Sequence, residues 1–285
     1  MTRWLVTGAG GQLGTHLEAL LEPSAVVVLG RGELDITVAS EVDAVLRDVR
    51  PDVVINAAAY TAVDDAETNE EAAQLVNGKA PGFLAASVGR VGGRLVHVST
   101  DYVFDGTAKL PYEPADPPAP RTAYGRTKLA GEMAVLDALP SAIVVRSAWV
   151  YGGPGRNFVD TMLELEQSRD TVNVEADQIG SPTWAHDLAS ALVAVGASDV
   201  SGAVLHYVNA GQASWFELAQ EVFRLIGADP ARVLPVTSDE FVRPAPRPAW
   251  SVLSTRSWTD RGLPAPRDWH DALRDCLSDD PDEQT

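Results

Sequence analysis

Tyr124 and Lys128 stand four residues apart, which on a helix places both side chains on one face, one turn from each other. An ammonium beside a phenol favours the phenolate, so the pair predicts a tyrosine pKa drawn down from about 10 toward working pH. Such a phenol gives a proton to a carbonyl being reduced, or takes one from an alcohol being oxidised. Upstream, Ser99-Thr100-Asp101 supplies hydroxyls able to hold a carbonyl oxygen. Taken alone, a Ser-Thr pair ending a strand is turn chemistry. Near the N-terminus, Gly8, Gly11 and Gly14 are spaced GxxGxxG within Gly8-Ala9-Gly10-Gly11-Gln12-Leu13-Gly14. Glycines there let the backbone turn tightly and approach a pyrophosphate at a helix N-terminus. The three features together describe hydride transfer from a dinucleotide coupled to proton transfer from a phenol.

These groups must be positioned by alternating strands and helices. Trp4 to Thr7, Ala25 to Leu29, Asp52 to Ile55, Arg94 to Ser99 and Ala142 to Arg146 read as buried strands. Between them Gln12 to Leu21, Val38 to Val49 (with Thr37 as N-cap), Glu70 to Val88 and Tyr124 to Leu136 have helical spacing. Continuous apolar strands between helices predict an α/β fold of the Rossmann type, a doubly wound parallel sheet covered on both faces. Ligands of such sheets bind beyond the carboxyl ends of the strands. Five prolines between Lys109 and Arg121 predict a surface loop leading to the tyrosine helix. The expected division is a dinucleotide-binding domain over residues 1–150, with a return near 187–208, and a smaller C-terminal substrate-binding lobe over most of 151–285. A strand within Ala203 to Val208 is expected to rejoin the sheet. The acidic tail from Ser278 to Thr285 is expected to fray.

The chain of 285 residues is 45% hydrophobic and carries a net charge of −18. That is enough apolar material for a sizeable core. The acidic surface argues against nucleic acid and anionic membrane surfaces as partners, and requires a local cationic site for any phosphate-bearing ligand. The single cysteine, Cys276, leaves no intrachain disulfide and fits a reducing compartment. The N-terminal residues lead directly into a strand, without a signal-peptide pattern, and no apolar run reaches membrane-spanning length. A soluble cytoplasmic protein is expected. The five histidines have no metal-type spacing, so no metal site is expected.

Around the crevice, Ala57, Ala58 and Ala59 before Tyr60 leave room for flat contact with a cofactor, and Asn77 on the following helix can hydrogen-bond the backbone nearby. Trp149, after the next strand, offers an aromatic face to a sugar or nicotinamide. Arg31 and Asp35 follow the second strand. An arginine at that position pairs with a 2′-phosphate, whereas a carboxylate at the strand end would favour NAD. Leu29-Gly30-Arg31 therefore favours NADPH, with NADH and a solvated Arg31 as the open alternative.

The combination VSTDYVFDG (Val98 to Gly106), YGRTKLAGE (Tyr124 to Glu132) and DQIGSPTWAHDLA (Asp177 to Ala189), with TGAGGQLG (Thr7 to Gly14), INAAAYTAVDDAE (Ile55 to Glu67) and RSAWVYG (Arg146 to Gly152), resembles the extended short-chain dehydrogenase/reductases. Within them it resembles the dTDP-4-dehydrorhamnose reductase family, nearly end to end. The resemblance implies reduction of the 4-keto group of a dTDP-4-keto-6-deoxyhexose by NAD(P)H, with Thr100, Tyr124 and Lys128 catalytic. It implies cofactor contacts at Gly11, Gln12, Leu13, Asp35, Ile36, Ala59, Tyr60, Thr61 and Val98. Substrate contacts fall on Thr100, Asp101 and Trp149, with Val63 and Tyr102 as wall residues. Arg247 is the candidate cation for the diphosphate. A metal-linked homodimer occurs in some members, but its carboxylate cluster has no match here, and the oligomeric state stays open. The alternatives are a 4-ketoreductase for another dTDP-deoxysugar and a non-catalytic NADP-binding regulatory subunit. The latter form can lose the tyrosine or lysine, and both are present here.

Overall fold

Short runs of valine, leucine and isoleucine, buried on both faces, become parallel strands. In the computed structural model, which describes residues 1–278, these are β1 (Trp4–Thr7), β2 (Val26–Leu29), β3 (Val53–Asn56), β4 (Arg94–Thr100) and β5 (Ile143–Ser147). With Ala203–His206 beside β5 they form one six-stranded sheet, ordered from that strand through β5, β4, β3 and β1 to β2. Every pairing is parallel. The direction of winding reverses beside β1, which opens a crevice at the carboxyl ends of β1 and β3. The strand expected within 203–208 thus closes the sheet edge. Asp279 to Thr285, most of the acidic tail, lie outside the described residues.

The helices are α1 (Gln12–Leu20), α2 (Ala39–Val49), α3 (Val63–Ala66), α4 (Glu70–Ala73), α5 (Ala80–Val91) and α6 (Ala123–Ala138). Strand alternation decides which of them meet. Val6, Ile55, Val96 and Val145 face Leu17 of α1 and Leu188, Leu192 and Val195 of the later helix Ala185–Ala197. Leu5, Val54, Leu95 and Val144 face the opposite way, toward Val42, Leu46, Leu84, Val88 and Val135 of α2, α5 and α6. A separate core lies among the helices Phe158–Ser168, Trp215–Leu225 and Trp269–Ser278 and the paired strands Val172–Glu175 and Val233–Val236. The C-terminal region is not confined to that lobe, since Trp258 is fully buried in the core beneath the sheet. Among the described residues no helix is long and apolar enough to cross a membrane.

Two local expectations change. The N-cap of α2 is Val38, without a side-chain cap. Thr37 instead donates its hydroxyl to Asp35 at 2.6 Å, because a short side chain finds the nearer carboxylate before the helix amides. The helical run from Glu70 is real, but Gln74–Lys79 forms a π turn between α4 and α5. That turn places Pro81 near the start of α5, where a missing N–H costs nothing. It also aims Asn77 at the backbone of Tyr60.

α6 packs closely on its surroundings. A Cβ at Gly125 would lie 2.2 Å from the Tyr102 carbonyl oxygen, and one at Gly131 would lie 2.0 Å from that of Asn77. One turn beyond Lys128, Glu132 accepts from Arg146 of β5 at 2.9 and 2.7 Å and from the Ser99 hydroxyl of β4 at 2.5 Å. The two charged side chains are 3% and 4% exposed. Removing one partner of such a pair strands a buried charge, so Glu132→Ala is expected to lower the unfolding free energy by about 3–5 kcal/mol. Urea denaturation of the variant against the parent measures it, and a change below about 1 kcal/mol would contradict a structural role for the pair.

Candidate active site

Three segments meet at the carboxyl ends of the strands. The turn from β1 to α1 is held open by backbone geometry: Gly8 has φ of +91°, and a Cβ at Gly14 would lie 2.2 Å from the Gly8 carbonyl oxygen. Only glycines permit that approach. α1 begins at Gly11 with no side-chain cap and no acidic residue in its first turn. Its leading amides are therefore free of competing side chains and suited to an anion. Below them Thr7 donates to Asn56 at 2.7 Å, and Asn56 meets His97 at 3.0 Å, tying together the ends of β1, β3 and β4. Burial keeps His97 far below the usual histidine range, so this floor stays uncharged.

The cavity above encloses about 760 Å³. Its wall includes Gly8, Gly11, Gln12, Leu13 and Gly14 from the first turn, and Arg31, Asp35 and Ile36 after β2. Ala57, Ala58, Ala59, Tyr60, Thr61 and Val63 follow β3. Val98, Thr100, Asp101 and Tyr102 come from the end of β4, Tyr124 and Lys128 from α6, and Trp149 from the chain after β5. Thus the residues expected to catalyse, to hold a cofactor and to hold a substrate share one cavity, with two exceptions. Asn77 stands behind the wall: its side chain accepts from Tyr60 N at 2.8 Å and donates to Tyr60 O at 3.0 Å, fixing the loop that forms the wall. Arg247 is held elsewhere. Its guanidinium makes two hydrogen bonds to Asp64, at 2.9 and 2.7 Å, and a third to Ala245 O at 3.0 Å.

Within the trio, the Lys128 ammonium donates to Val98 O at 2.7 Å. The Thr100 hydroxyl donates to Asp101 Oδ1 at 2.9 Å and accepts from Tyr102 N at 3.2 Å. The ring of Tyr102 meets that of Tyr124 edge-on at 5.5 Å. The expected depression of the Tyr124 pKa is overturned. Burial pushes it up to about 12, with the nearby Thr100 hydroxyl opposing and the Asp101 charge adding to the rise. The lysine yields instead: burial lowers it to about 8, and the Glu132 carboxylate one turn on opposes the fall. Desolvation disfavours the charged form of each group and is the leading cause of both shifts. Asp101 is likewise raised by burial, to about 6, with the Thr100 hydrogen bond opposing.

Several wall residues escaped the sequence reading. Ser147, Ala148 and Arg156 also line the cavity. Arg156 directly follows the Gly152-Gly153-Pro154-Gly155 turn. A Cβ at Gly153 would lie 2.7 Å from Gln12 Cα, so that turn packs directly on the start of α1. A basic residue closing a glycine turn was the available signal. Thr7 and Asn56 had another, being polar at the ends of otherwise apolar strands.

The residues present fit a dinucleotide phosphate. Both carboxylates after β2 are engaged inside the chain: Glu33 accepts from Gly30 N at 2.6 Å, and Asp35 from Thr37 N and Oγ at 2.9 and 2.6 Å. The Thr37 hydrogen bonds hold the Asp35 carboxyl below its usual range. Arg31 stands exposed beside them, available to a 2′-phosphate. At the other end, the buried Gln12 Oε1, Asp101 Oδ2 and Ser147 Oγ have no hydrogen-bond partner among the described residues. Among those residues no group of three or more His, Cys, Asp or Glu side chains is arranged to hold a metal ion.

Comparison with known proteins agrees with this architecture. The chain is 53% identical over 282 residues to a probable dTDP-4,6-dihydroxy-2-methyloxan-3-one 4-ketoreductase of Streptomyces antibioticus, covering 97% of this chain and 95% of that one. It is 50% identical over 283 residues to a dTDP-4-dehydrorhamnose reductase of Mycobacterium tuberculosis, covering 97% and 92%. The crystal structure of dTDP-4-dehydrorhamnose reductase from Bacillus anthracis, in complex with NADP, superposes with a TM-score of 0.94 at 36% identity, covering 97% of this chain and 99% of that one. The family profile described as the RmlD substrate binding domain matches residues 2–281, and the chain belongs to that family.

Proposed function

We propose that the chain reduces the 4-keto group of a dTDP-4-keto-6-deoxyhexose with NADPH, converting dTDP-4-dehydrorhamnose to dTDP-L-rhamnose. The observation that carries this reading is the convergence of Thr100, Tyr124 and Lys128 on one cavity whose far end is the glycine turn of α1. When bound there, NADPH supplies the hydride for C4 of the sugar. Tyr124 stays a neutral phenol well above neutral pH, so it holds the proton that the developing alkoxide requires. Thr100 orients the same oxygen. Lys128, anchored to Val98 O, keeps a positive charge beside the phenol and offers its remaining protons to ribose hydroxyls. The unpartnered Oδ2 of Asp101 accepts from a hydroxyl of the sugar. With Arg247 engaged by Asp64, Arg156 on the cavity wall is the better-placed cation for a diphosphate.

A second reading has a specific observation in its favour. The Streptomyces antibioticus relative, named for a different ketosugar, is 53% identical, a level similar to that of the dTDP-4-dehydrorhamnose reductases. The same trio serves both reactions. Product stereochemistry over a panel of dTDP-4-keto sugars decides between them, and NADPH consumption with none of the panel would refute both.

Three outcomes follow from the site. Tyr124→Phe is expected to lower kcat by about 10²–10⁴-fold while coenzyme binding, followed by fluorescence titration, stays near the parent value. Retained turnover would remove the phenol from the mechanism. The pH profile of kcat/KM is expected to fall as pH rises through about 8, where Lys128 loses its proton. Tyr124, raised to about 12, titrates too high to account for that limb, and an alkaline limb beginning above pH ~10 would contradict the assignment. Arg31→Ala is expected to raise KM for NADPH roughly tenfold or more, the loss of a charge-assisted hydrogen bond, with KM for NADH nearly unchanged. Equal effects on the two coenzymes would place the 2′-phosphate elsewhere.

A further inference from the structure

Trp149 is the one wall residue of the cavity whose backbone is strained. Its φ is +47°, in the left-handed region that a bulky side chain avoids. Its ring is fixed on two sides. A Cβ at Gly180 would lie 2.3 Å from Trp149 Cε2, so the indole edge rests directly on the Gly180 backbone. Its face is covered by Trp215, with ring centroids 3.4 Å apart and planes only 4° from parallel. A direct overlap of that kind is not what two indoles choose by themselves, since their quadrupoles favour an offset or edge-on arrangement. The surroundings impose it.

Those surroundings belong to the second lobe. Trp215 opens the helix Trp215–Leu225 immediately after its N-cap, Ser214. Ser214 and Glu217 cap that helix reciprocally, with Glu217 N donating to Ser214 Oγ at 3.0 Å and Ser214 N to Glu217 Oε2 at 2.7 Å. The Trp215 indole N–H donates to Gln178 Oε1 at 3.1 Å. Gln178 in turn donates to Ser238 Oγ at 2.9 Å, and Ser238 donates its backbone N–H to Asp177. Phe158 supports the Trp215 ring from another direction at 4.5 Å. Trp215 itself is not part of the cavity wall.

We propose that Trp215 is a positioning residue for sugar-nucleotide recognition. Fixed by the capped helix and by Gln178, it holds the Trp149 ring against the cavity so that the lobe sets the orientation of the sugar. The proposal rests on the reading of Trp149 as a substrate contact. It assigns to the second lobe a direct part in specificity, through one aromatic face, without any contact of Trp215 with the ligand.

The test compares Trp215→Leu, Trp215→Phe and Trp149→Phe with the parent. Two stacked indoles give an exciton couplet in far-ultraviolet circular dichroism, which all three variants are expected to lose while the rest of the spectrum is kept. Trp215→Leu is expected to raise KM for the dTDP-4-keto sugar by roughly three- to tenfold, the range set by loss of an aromatic pair. KM for NADPH and the alkaline limb are expected to stay put. Trp215→Phe, which keeps a flat ring, should recover most of the loss. A parent-like KM in Trp215→Leu with the couplet gone overturns the proposal, as does an equal rise in both KM values. Should Trp215→Leu fail to fold, Gln178→Leu removes the indole tether, together with the bond to Ser238, and is expected to weaken the couplet and raise the sugar KM in the same direction. An unchanged KM there overturns it equally. A parent enzyme that consumes NADPH with none of the keto sugars refutes the reductase reading instead, while the couplet still reports whether the stack exists.

Discussion

The close seating of α6 against the turn after β4 and the π turn before α5 is the constraint from which the site follows. Gly125 and Gly131 bring the helix backbone against the carbonyl oxygens of Tyr102 and Asn77, where any side chain would collide. The buried pair of Glu132 and Arg146, with Ser99 as third partner, then fixes the rotation of the helix about its axis. Lys128 lies one turn from Glu132 and Tyr124 one turn further. Their positions relative to the end of β4 are thereby set by contacts that involve neither of them. A hydrogen bond from Lys128 to Val98 O completes the register.

Burial has an electrical consequence. Lys128 is only 3% exposed, and both it and Tyr124 shift toward their uncharged forms. The phenol remains a proton donor over the whole physiological range, the form required for reduction. Oxidation of an alcohol would need the phenolate, which this environment disfavours. Glu132 thus has two roles, neutralising Arg146 and limiting the fall of the lysine. The net charge of −18 gives no help to a phosphate-bearing ligand. The uncapped N-terminus of α1, Arg31 and Arg156 are the local groups on the cavity wall suited to it.

The second lobe is fastened to the first at two places around the cavity. Asp64 on α3 binds Arg247 and the Ala245 amide, joining the C-terminal segment to the loop after β3. Trp149 stacks on Trp215, joining the chain after β5 to the helix Trp215–Leu225. Both fastenings meet residues next to or within the cavity wall.

The alternation of buried strands and helices, the glycine turn, the tyrosine–lysine spacing and the Ser-Thr-Asp strand end were all legible in the chain, because each is a local pattern with a fixed period. Those patterns, with the family resemblance, placed more than half of the cavity wall. Sign and pairing were not legible. The tyrosine pKa was misread from the lysine spacing because burial, which no spacing reveals, dominates it. Thr37 was taken for a cap and Arg247 for a free cation because their partners, Asp35 and Asp64, compete for them in three dimensions. Arg156 and Trp215 were passed over because each becomes relevant only when a segment from after β5 folds back over α1 or over the crevice. Local sequence determined which groups exist and on which elements. Tertiary structure decided which are desolvated, which are already paired and which face the ligand, since those properties depend on neighbours many residues away.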